Sequence, residues 1–401
     1  MKVEERILQR IEKNRDEIIS FVREIVSTPS VTGEEKAVGA AVYRKMEKIG
    51  LDELRLVEAI PGRPNIVGVL RGGNPGKDLL FNGHLDVVPP GPEEEWDHPP
   101  FAGVIEGGYL HGRGSVDMKS GLCGSILAVE ALKQENIPFS GSITLTAVCD
   151  EQIGGALGIR HLIEKGYVKG DMGINCEATN LDTVDVAHKG IYQCDITIQG
   201  KAIHGSRPWL GINAIDKASS VIEEIKKLAR ELEGRKHPLL RFPTVNVSTI
   251  HGGTAANMIP SKCTMEVNRR LIPGETFEQV ERELQDILDR LAKDDPQFKA
   301  TLKAKDFFMP VMDTSPEAPV VKAIQKAHKM VRGNELPTGG KDAGTDAAWI
   351  VNATGMPMPI YGPGDYLKGS LASNEKIALE DIVDAVKVYA LAAYYLLGKG
   401  E

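Results

Sequence analysis

Asp78-Leu79-Leu80-Phe81-Asn82, running straight on into Gly83-His84-Leu85-Asp86, is the stretch on which the fold turns. A short apolar run of this kind reads as a buried strand, and two residues able to do chemistry stand at its end. Ser142–Cys149 repeats the arrangement and runs into Asp150 and Glu151. A helical stretch, about Gly121–Gln134, lies between the two, and a further strand-like run, Asn65–Leu70, precedes both. Alternating strands and helices imply an α/β fold with a mostly parallel central sheet flanked by helices. In open sheets of this kind ligands bind at the carboxyl ends of strands, which is where His84, Asp86, Asp150 and Glu151 fall.

Beyond this frame the texture changes. From about His188, strand-like runs Ile191–Gln199, Thr244–Ile250 and Cys263–Arg270 are joined by helical stretches Ile212–Leu232 and Thr276–Leu291. That pattern predicts an inserted α+β domain with an antiparallel sheet, over Ala187–Phe307. Residues 1–186 and 308–401 then form one discontinuous domain, which carries the chemistry and closes on an amphipathic helix, Leu379–Leu397. Met1–Ser20 reads as an amphipathic helix with Ile7, Ile11 and Ile18 as its apolar spacing, and not as a signal peptide.

Composition sets limits on function. At 401 residues the chain exceeds the roughly 250–300 at which one core gives way to domains, so two are expected. A net charge of −8 and a pI near 5.7 argue against nucleic acid or an anionic membrane as partner. No apolar run approaches the roughly 18–20 residues needed to cross a bilayer. The five cysteines are odd in number and lack a Cys-x-x-Cys pair. They read as reduced core thiols of a cytoplasmic enzyme.

His84 and Asp86 stand two apart beyond a strand, so their side chains share a face. A metal-bound histidine usually gives its other ring nitrogen to an oxygen, and Asp86 is placed for that role. From this pair alone, a loop histidine beside an incidental aspartate is the plainer reading. Further on, the segment His111–Gly121 crowds glycines around Asp117 just ahead of an apolar helix. Glycines there let backbone approach closely and present the carboxylate, although an ordinary N-cap aspartate is the plainer alternative. Asp150-Glu151 offers adjacent carboxylates, one able to act as a base, or else a solvated turn before Gly154-Gly155. Glu177 follows the apolar-leaning run Met172–Cys176, as a ligand or as a strand-end surface residue. Four such signals in chain order at strand ends point together to a metal-dependent site.

With these segments the chain resembles the family of acetylornithine deacetylase, succinyl-diaminopimelate desuccinylase, aminoacylase and glutamate carboxypeptidase, which are co-catalytic zinc amidohydrolases. Gly200-Lys201-Ala202-Ile203-His204-Gly205-Ser206 looks like that family's insertion-domain histidine motif. Asn257-Met258-Ile259-Pro260, Arg269-Arg270-Leu271-Ile272-Pro273-Gly274 and Gly344-Thr345-Asp346 match as well. The resemblance implies a zinc-peptidase-like catalytic domain with an inserted dimerisation (lid) domain, acting as a cytoplasmic homodimer on a small molecule that bears a carboxylate. It implies that His84 and Glu177 bind one metal, that Asp117 bridges to a second, and that Glu151 is the general base. It further implies that His204 stabilises the oxyanion in a neighbouring subunit's site and that Arg270 and Asn257 hold the substrate carboxylate.

The pattern breaks at one metal. The family's second metal takes the residue after the base and a histidine near the C-terminus; here those positions are Gln152 and Leu371. Leucine cannot bind a metal and a glutamine carbonyl is a weak, neutral ligand, so both losses fall on the same ion. His84, Asp117 and Glu177 still make three ligands with room for water, the usual composition of a catalytic zinc site, although manganese or cobalt also suits these donors. The expectation is a single-metal hydrolase of an amide bond in an N-acyl amino acid or dipeptide-like compound. Two alternatives stand beside it: non-hydrolytic metal-assisted chemistry on a small carboxylate, and a binding homologue without turnover.

Overall fold

The computed structural model describes residues 1–367 and 369–398. The chain divides into two compact units, one of Met1–Val186, Asp313–Gly340 and Thr345–Glu401, the other of Ala187–Met312 and Lys341–Gly344. The second unit thus runs past Phe307 to Met312 and takes in a short later segment.

The first unit is built on a five-stranded sheet in the order Glu53–Glu58, Pro64–Arg71, Ser140–Val148, Asn74–His84, Met172–Asn175. Asn74–His84 pairs in parallel with both of its neighbours, whereas Pro64–Arg71 runs against both of its own. Four of the five strands therefore share a direction. Leu79, Leu80 and Phe81 are all buried, as a continuous apolar run in a sheet covered on both faces requires. Helix Lys119–Gln134 packs under the closing helix Leu379–Leu397, and the Tyr389 ring meets Phe81 edge-on at 5.6 Å. Register then places the chemistry. His84 lies opposite Val148 and Asn82 opposite Asn175, so three strands deliver His84, Asp150-Glu151 and Glu177 to the same end of the sheet.

The N-terminal segment is two helices, Val3–Lys13 and Arg15–Ser27, and not the single one its periodicity predicts. Asn14 leaves helical geometry at φ −91° and ψ 8°, and its side chain turns to donate to Gln134 Oε1 at 2.7 Å. The apolar spacing carries on across the break, which is why the pattern hides it.

The second unit holds a four-stranded antiparallel sheet in the order Thr244–Gly252, Lys262–Leu271, Gly190–Gln199, Lys299–Ala304. Strand Lys262–Leu271 alternates buried and half-buried residues, so one face is apolar but for Arg269, which is buried in an ion pair with Glu275. Helices Ala214–Leu232 and Phe277–Asp294 cover that face, with Ile196, Val267, Val221, Ile225 and Leu284 in a shared core. Among the described residues no helix is long and apolar enough to cross a membrane.

Candidate active site

His84 is the last residue of its strand and is almost wholly buried. Its Nδ1–H donates to the Asp86 backbone carbonyl at 2.8 Å, which turns Nε2 toward three carboxylates. Asp117 Oδ1 and Glu177 Oε1 each lie 3.1 Å from Nε2, and Glu151 Oε2 lies at 3.7 Å. His84, Glu151 and Glu177 present donor atoms that all fall within 4.8 Å of one another. One imidazole nitrogen facing several oxygens is a donor set that fits a divalent transition metal.

Electrostatics in this cluster follow from its burial. Loss of solvent works against the His84 imidazolium, but the charges of Glu151, Asp117 and Glu177 outweigh it and raise the pKa well above the usual imidazole range. Burial raises the Glu151 carboxyl well above the usual carboxylate range, with His84 opposing and Asp346, Glu177 and Asp117 adding to the rise.

The Asp86 carboxylate does not make its closest contact with the histidine ring, since its Oδ1 stands 3.6 Å from Nδ1. It accepts instead from the backbone N–H groups of Glu151 and Gln152, at 3.1 and 3.2 Å, and from Thr32 Oγ1 at 2.8 Å. Asp86 therefore aims the turn Glu151–Ile153 as well as supplying the carbonyl that orients His84.

Asp117 sits on a loop held from beneath by a buried ion pair. Glu375 Oε2 takes Arg113 Nη1 at 2.6 Å, while Oε1 accepts from the backbone N–H of Val116 at 2.7 Å and of Asp117 at 3.1 Å. The Asp117–Met118 peptide is cis. Just beyond it, Gly121 in the first turn of helix Lys119–Gln134 lies so close to the other strand end that a Cβ would stand 1.9 Å from the Cys176 carbonyl oxygen. Only glycine allows that approach.

At the positions of the missing ligands, neutral donors take up the Asp117 carboxylate. Gln152 Nε2 donates to Oδ1 at 3.0 Å and Ser370 Oγ donates to Oδ2 at 2.8 Å. Leu371 next door is 51% exposed, at a φ of +62°, with its carbonyl 3.4 Å from Arg113 Nη2.

Ser370 and Arg63 are site residues that the sequence reading passed over, whereas Arg113, Asp346 and Glu375 lay within its motifs and were given no role. Arg63 bridges Glu35 and Asp150 at 2.7 Å each, which fixes Asp150 at its φ of +72° beside Glu151. Asp346 is buried, and neither carboxyl oxygen finds a hydrogen-bond partner among the described residues. Burial raises its pKa to about 8. Ser370 and Glu375 flank Leu371, so the break in the metal pattern was the one signal that pointed at them. Cys149 and Cys176 are core thiols: burial pushes the Cys176 pKa up to about 12 and raises that of Cys149 further. Neither offers a thiolate in place of a lost ligand.

His204, Asn257 and Arg270 all belong to the second unit. His204 is exposed, and its Nδ1 accepts from the Ser206 backbone N–H at 3.1 Å. A backbone N–H only donates, so Nδ1 carries no proton and Nε2–H is left as the outward donor. Asn257 is exposed with its carbonyl bonded to Gly205 N–H, and half-buried Arg270 donates from Nε to Asn268 Oδ1 at 3.2 Å. Trp209, two residues beyond Arg207, is 76% exposed.

Residues 80–395 match the model of peptidase family M20/M25/M40. The N-formyl-4-amino-5-aminomethyl-2-methylpyrimidine deformylase of Halalkalibacterium halodurans is 27% identical, over 98% of this chain and 97% of its own. The succinyl-diaminopimelate desuccinylase of Psychromonas ingrahamii is 28% identical, over 95% of this chain and 98% of its own. Among solved structures, the metallo-carboxypeptidase Sso-CP2 of Sulfolobus solfataricus superposes with a TM-score of 0.78 at 23% identity, covering 95% of this chain and 99% of that one. The resemblance and the fold class read from the sequence are thus borne out. Deformylase and desuccinylase are both hydrolytic, which favours hydrolysis over the non-hydrolytic and binding-only readings. Divalent metal belongs to this family's chemistry, and the name of the carboxypeptidase records that it uses a metal. A family match across most of its length, over a fold that gathers His84 and three carboxylates at one sheet end, means that the chain belongs to peptidase family M20/M25/M40 and is a hydrolase of amide bonds.

Proposed function

We propose that the protein hydrolyses the amide bond of a small N-acyl amino acid or dipeptide-like compound using one divalent metal, zinc in the first instance. The observation that carries the single-metal reading is the Asp117 carboxylate, whose two oxygens are engaged by the Gln152 amide and the Ser370 hydroxyl. A carboxylate shared between two cations would have its second oxygen on an ion; here Oδ1 faces His84, and the second oxygen, Oδ2, is taken up by the uncharged Ser370 hydroxyl. His84, Asp117 and Glu177 are the ligands in this reading. The cation they hold supplies Lewis acidity to the scissile carbonyl and lowers the pKa of water.

The chain's own groups do the rest. Glu151 removes a proton from the attacking water and returns it to the leaving nitrogen, so that water and amide yield a carboxylic acid and an amine. Asp86 holds the Glu151 backbone in place for that transfer. His204, with its proton on Nε2, donates to the oxyanion in the site of a neighbouring subunit of a homodimer, while Arg270 and Asn257 hold the substrate carboxylate. Five buried free thiols agree with a cytoplasmic setting. The similarity to an N-formyl-aminomethylpyrimidine deformylase adds N-formyl amines to the substrates worth screening beside N-succinyl and N-acetyl amino acids.

Glu151→Gln separates the roles. Turnover of any substrate found should fall by about 10²–10⁴-fold while zinc affinity is kept. An unchanged rate would remove Glu151 as the base, and loss of zinc would make it a ligand. Asp117→Asn and Glu177→Gln should lose zinc first.

A further inference from the structure

On the first unit, strands Val104–Glu106 and Tyr109–His111 form a hairpin that turns through Gly107 and Gly108 at φ of 57° and 84°. The register sets Val104 opposite His111 and Glu106 opposite Tyr109, so Glu106 and His111 project from one face. His98 joins them from the preceding loop. Its Nε2 lies 3.2 Å from Glu106 Oε2, and its ring meets that of His111 edge-on with centroids 4.8 Å apart. One donor atom from each of the three side chains lies within 4.8 Å of the other two. The loop is pinned on both sides of His98: Asp97 N–H donates to Asn374 Oδ1 at 2.6 Å, and the Pro100 carbonyl accepts from Arg113 N–H at 2.8 Å.

We propose that His98, Glu106 and His111 form a second, separate metal site, for a borderline divalent cation of the zinc class, which fastens the hairpin to the loop that carries His98. Two imidazoles and one carboxylate are a zinc-type set, whereas magnesium and calcium prefer oxygen alone. Bonds of about 2.0–2.2 Å would bring neighbouring donor atoms to roughly 3.5 Å, so small side-chain rotations close the trio. Glu106, 70% exposed at its side chain, is free to make its share of them. Lys376 pairs with His111 across the adjoining strand, but its ammonium is drawn over the Tyr109 ring, 5.0 Å from the centroid.

The trio shares no side chain with the His84 cluster, yet it is linked to it through the chain. His111 leads directly into the Gly112–Asp117 loop, whose Gly112 N–H donates to the Glu375 carbonyl. A cation here acts as a strap on the segment that presents Asp117.

Zinc per chain, counted by elemental mass spectrometry at one buffered free-zinc level, tests this across four proteins: wild type, H98N/E106A, H84A and the combined variant. H98N/E106A and H84A should each hold one zinc fewer than wild type, and the combined variant two fewer. Equal counts in wild type and H98N/E106A overturn the proposal. E106A alone changes only an exposed side chain, so it guards against a folding artefact. It should raise the free zinc needed to half-fill this site at least about tenfold, and an unchanged midpoint overturns the proposal too. Hydrolysis retained by H98N/E106A would keep this result independent of the fate of the single-metal hydrolase reading.

Discussion

At the scale of single residues, the site is a set of charges taken out of water and balanced against one another. His84 and Glu151 both hold protons well above their usual ranges in the folded protein. The folded state therefore binds more protons than the unfolded state at neutral pH. In chelator-stripped protein, the stability His84 contributes is full below its unfolded pKa of about 6.5 and is lost as pH climbs through the raised folded value. Glu151 changes stability in the same direction, from about pH 4.5 upward. Stripped protein should thus melt at lower temperature as pH rises from about 6 to about 8, and zinc-loaded protein should show the opposite slope, because protons compete with the metal for its ligands. Calorimetric melts with and without zinc check both slopes; parallel curves would detach the cluster from metal. The second residue-scale prediction concerns the broken pattern. Gln152→Glu with Leu371→His should raise the zinc count by one per chain, and an unchanged count would mean that the second position is lost for reasons beyond those two ligands. His84, Asp117, Glu151 and Glu177 were legible because each polar residue stands where an apolar run or a glycine loop ends. Asp346 was not legible as a buried carboxyl group, since nothing in Gly344-Thr345-Asp346 announces that both oxygens go without a partner.

At the scale of elements, the Asp117 loop depends on one buried carboxylate. Glu375 neutralises Arg113 and accepts two backbone N–H groups, all within the interior. Glu375→Gln removes the charge and leaves Arg113 buried without its counter-ion, which should cost about 3–5 kcal/mol of stability. Urea unfolding measures the loss, and a change below about 1 kcal/mol would mean that water reaches Arg113 and replaces the pair. The longer elements were readable in advance: Gly190–Gln199, Ala214–Leu232 and Leu379–Leu397 fall within two residues of their expected bounds. Strands of three residues such as Val104–Glu106 and Tyr109–His111 are too short to carry a period, and the break at Asn14 interrupts geometry without interrupting the apolar stripe. Pairing across the sheet was likewise hidden, because register between Asn74–His84 and Ser140–Val148 depends on packing that no local pattern encodes.

At the scale of the whole molecule, the homodimer reading makes a strong demand. If His204 serves the site of a neighbouring subunit, Glu151→Gln and His204→Ala chains, each inactive alone, should regain activity when mixed under conditions that exchange subunits. A mixed dimer then owns one site with both groups intact. Failure to regain any rate, with exchange verified by mass, would confine His204 to another role. The order of the chain has a consequence of its own. The second unit is nearly continuous in sequence, whereas the first is assembled from segments that begin at the N-terminus and end with Leu379–Leu397. His84, Asp117, Glu151 and Glu177 all leave the ribosome before residue 187, but Ser370 and Glu375, which fix Asp117, follow only after the whole of the second unit. During synthesis the nascent chain carries every proposed ligand for a long interval without the residues that hold the Asp117 loop. A product truncated before residue 370 would retain the whole set of donors and lack Ser370 and Glu375 to hold Asp117, so metal acquisition by the proposed site waits until Glu375 has been made.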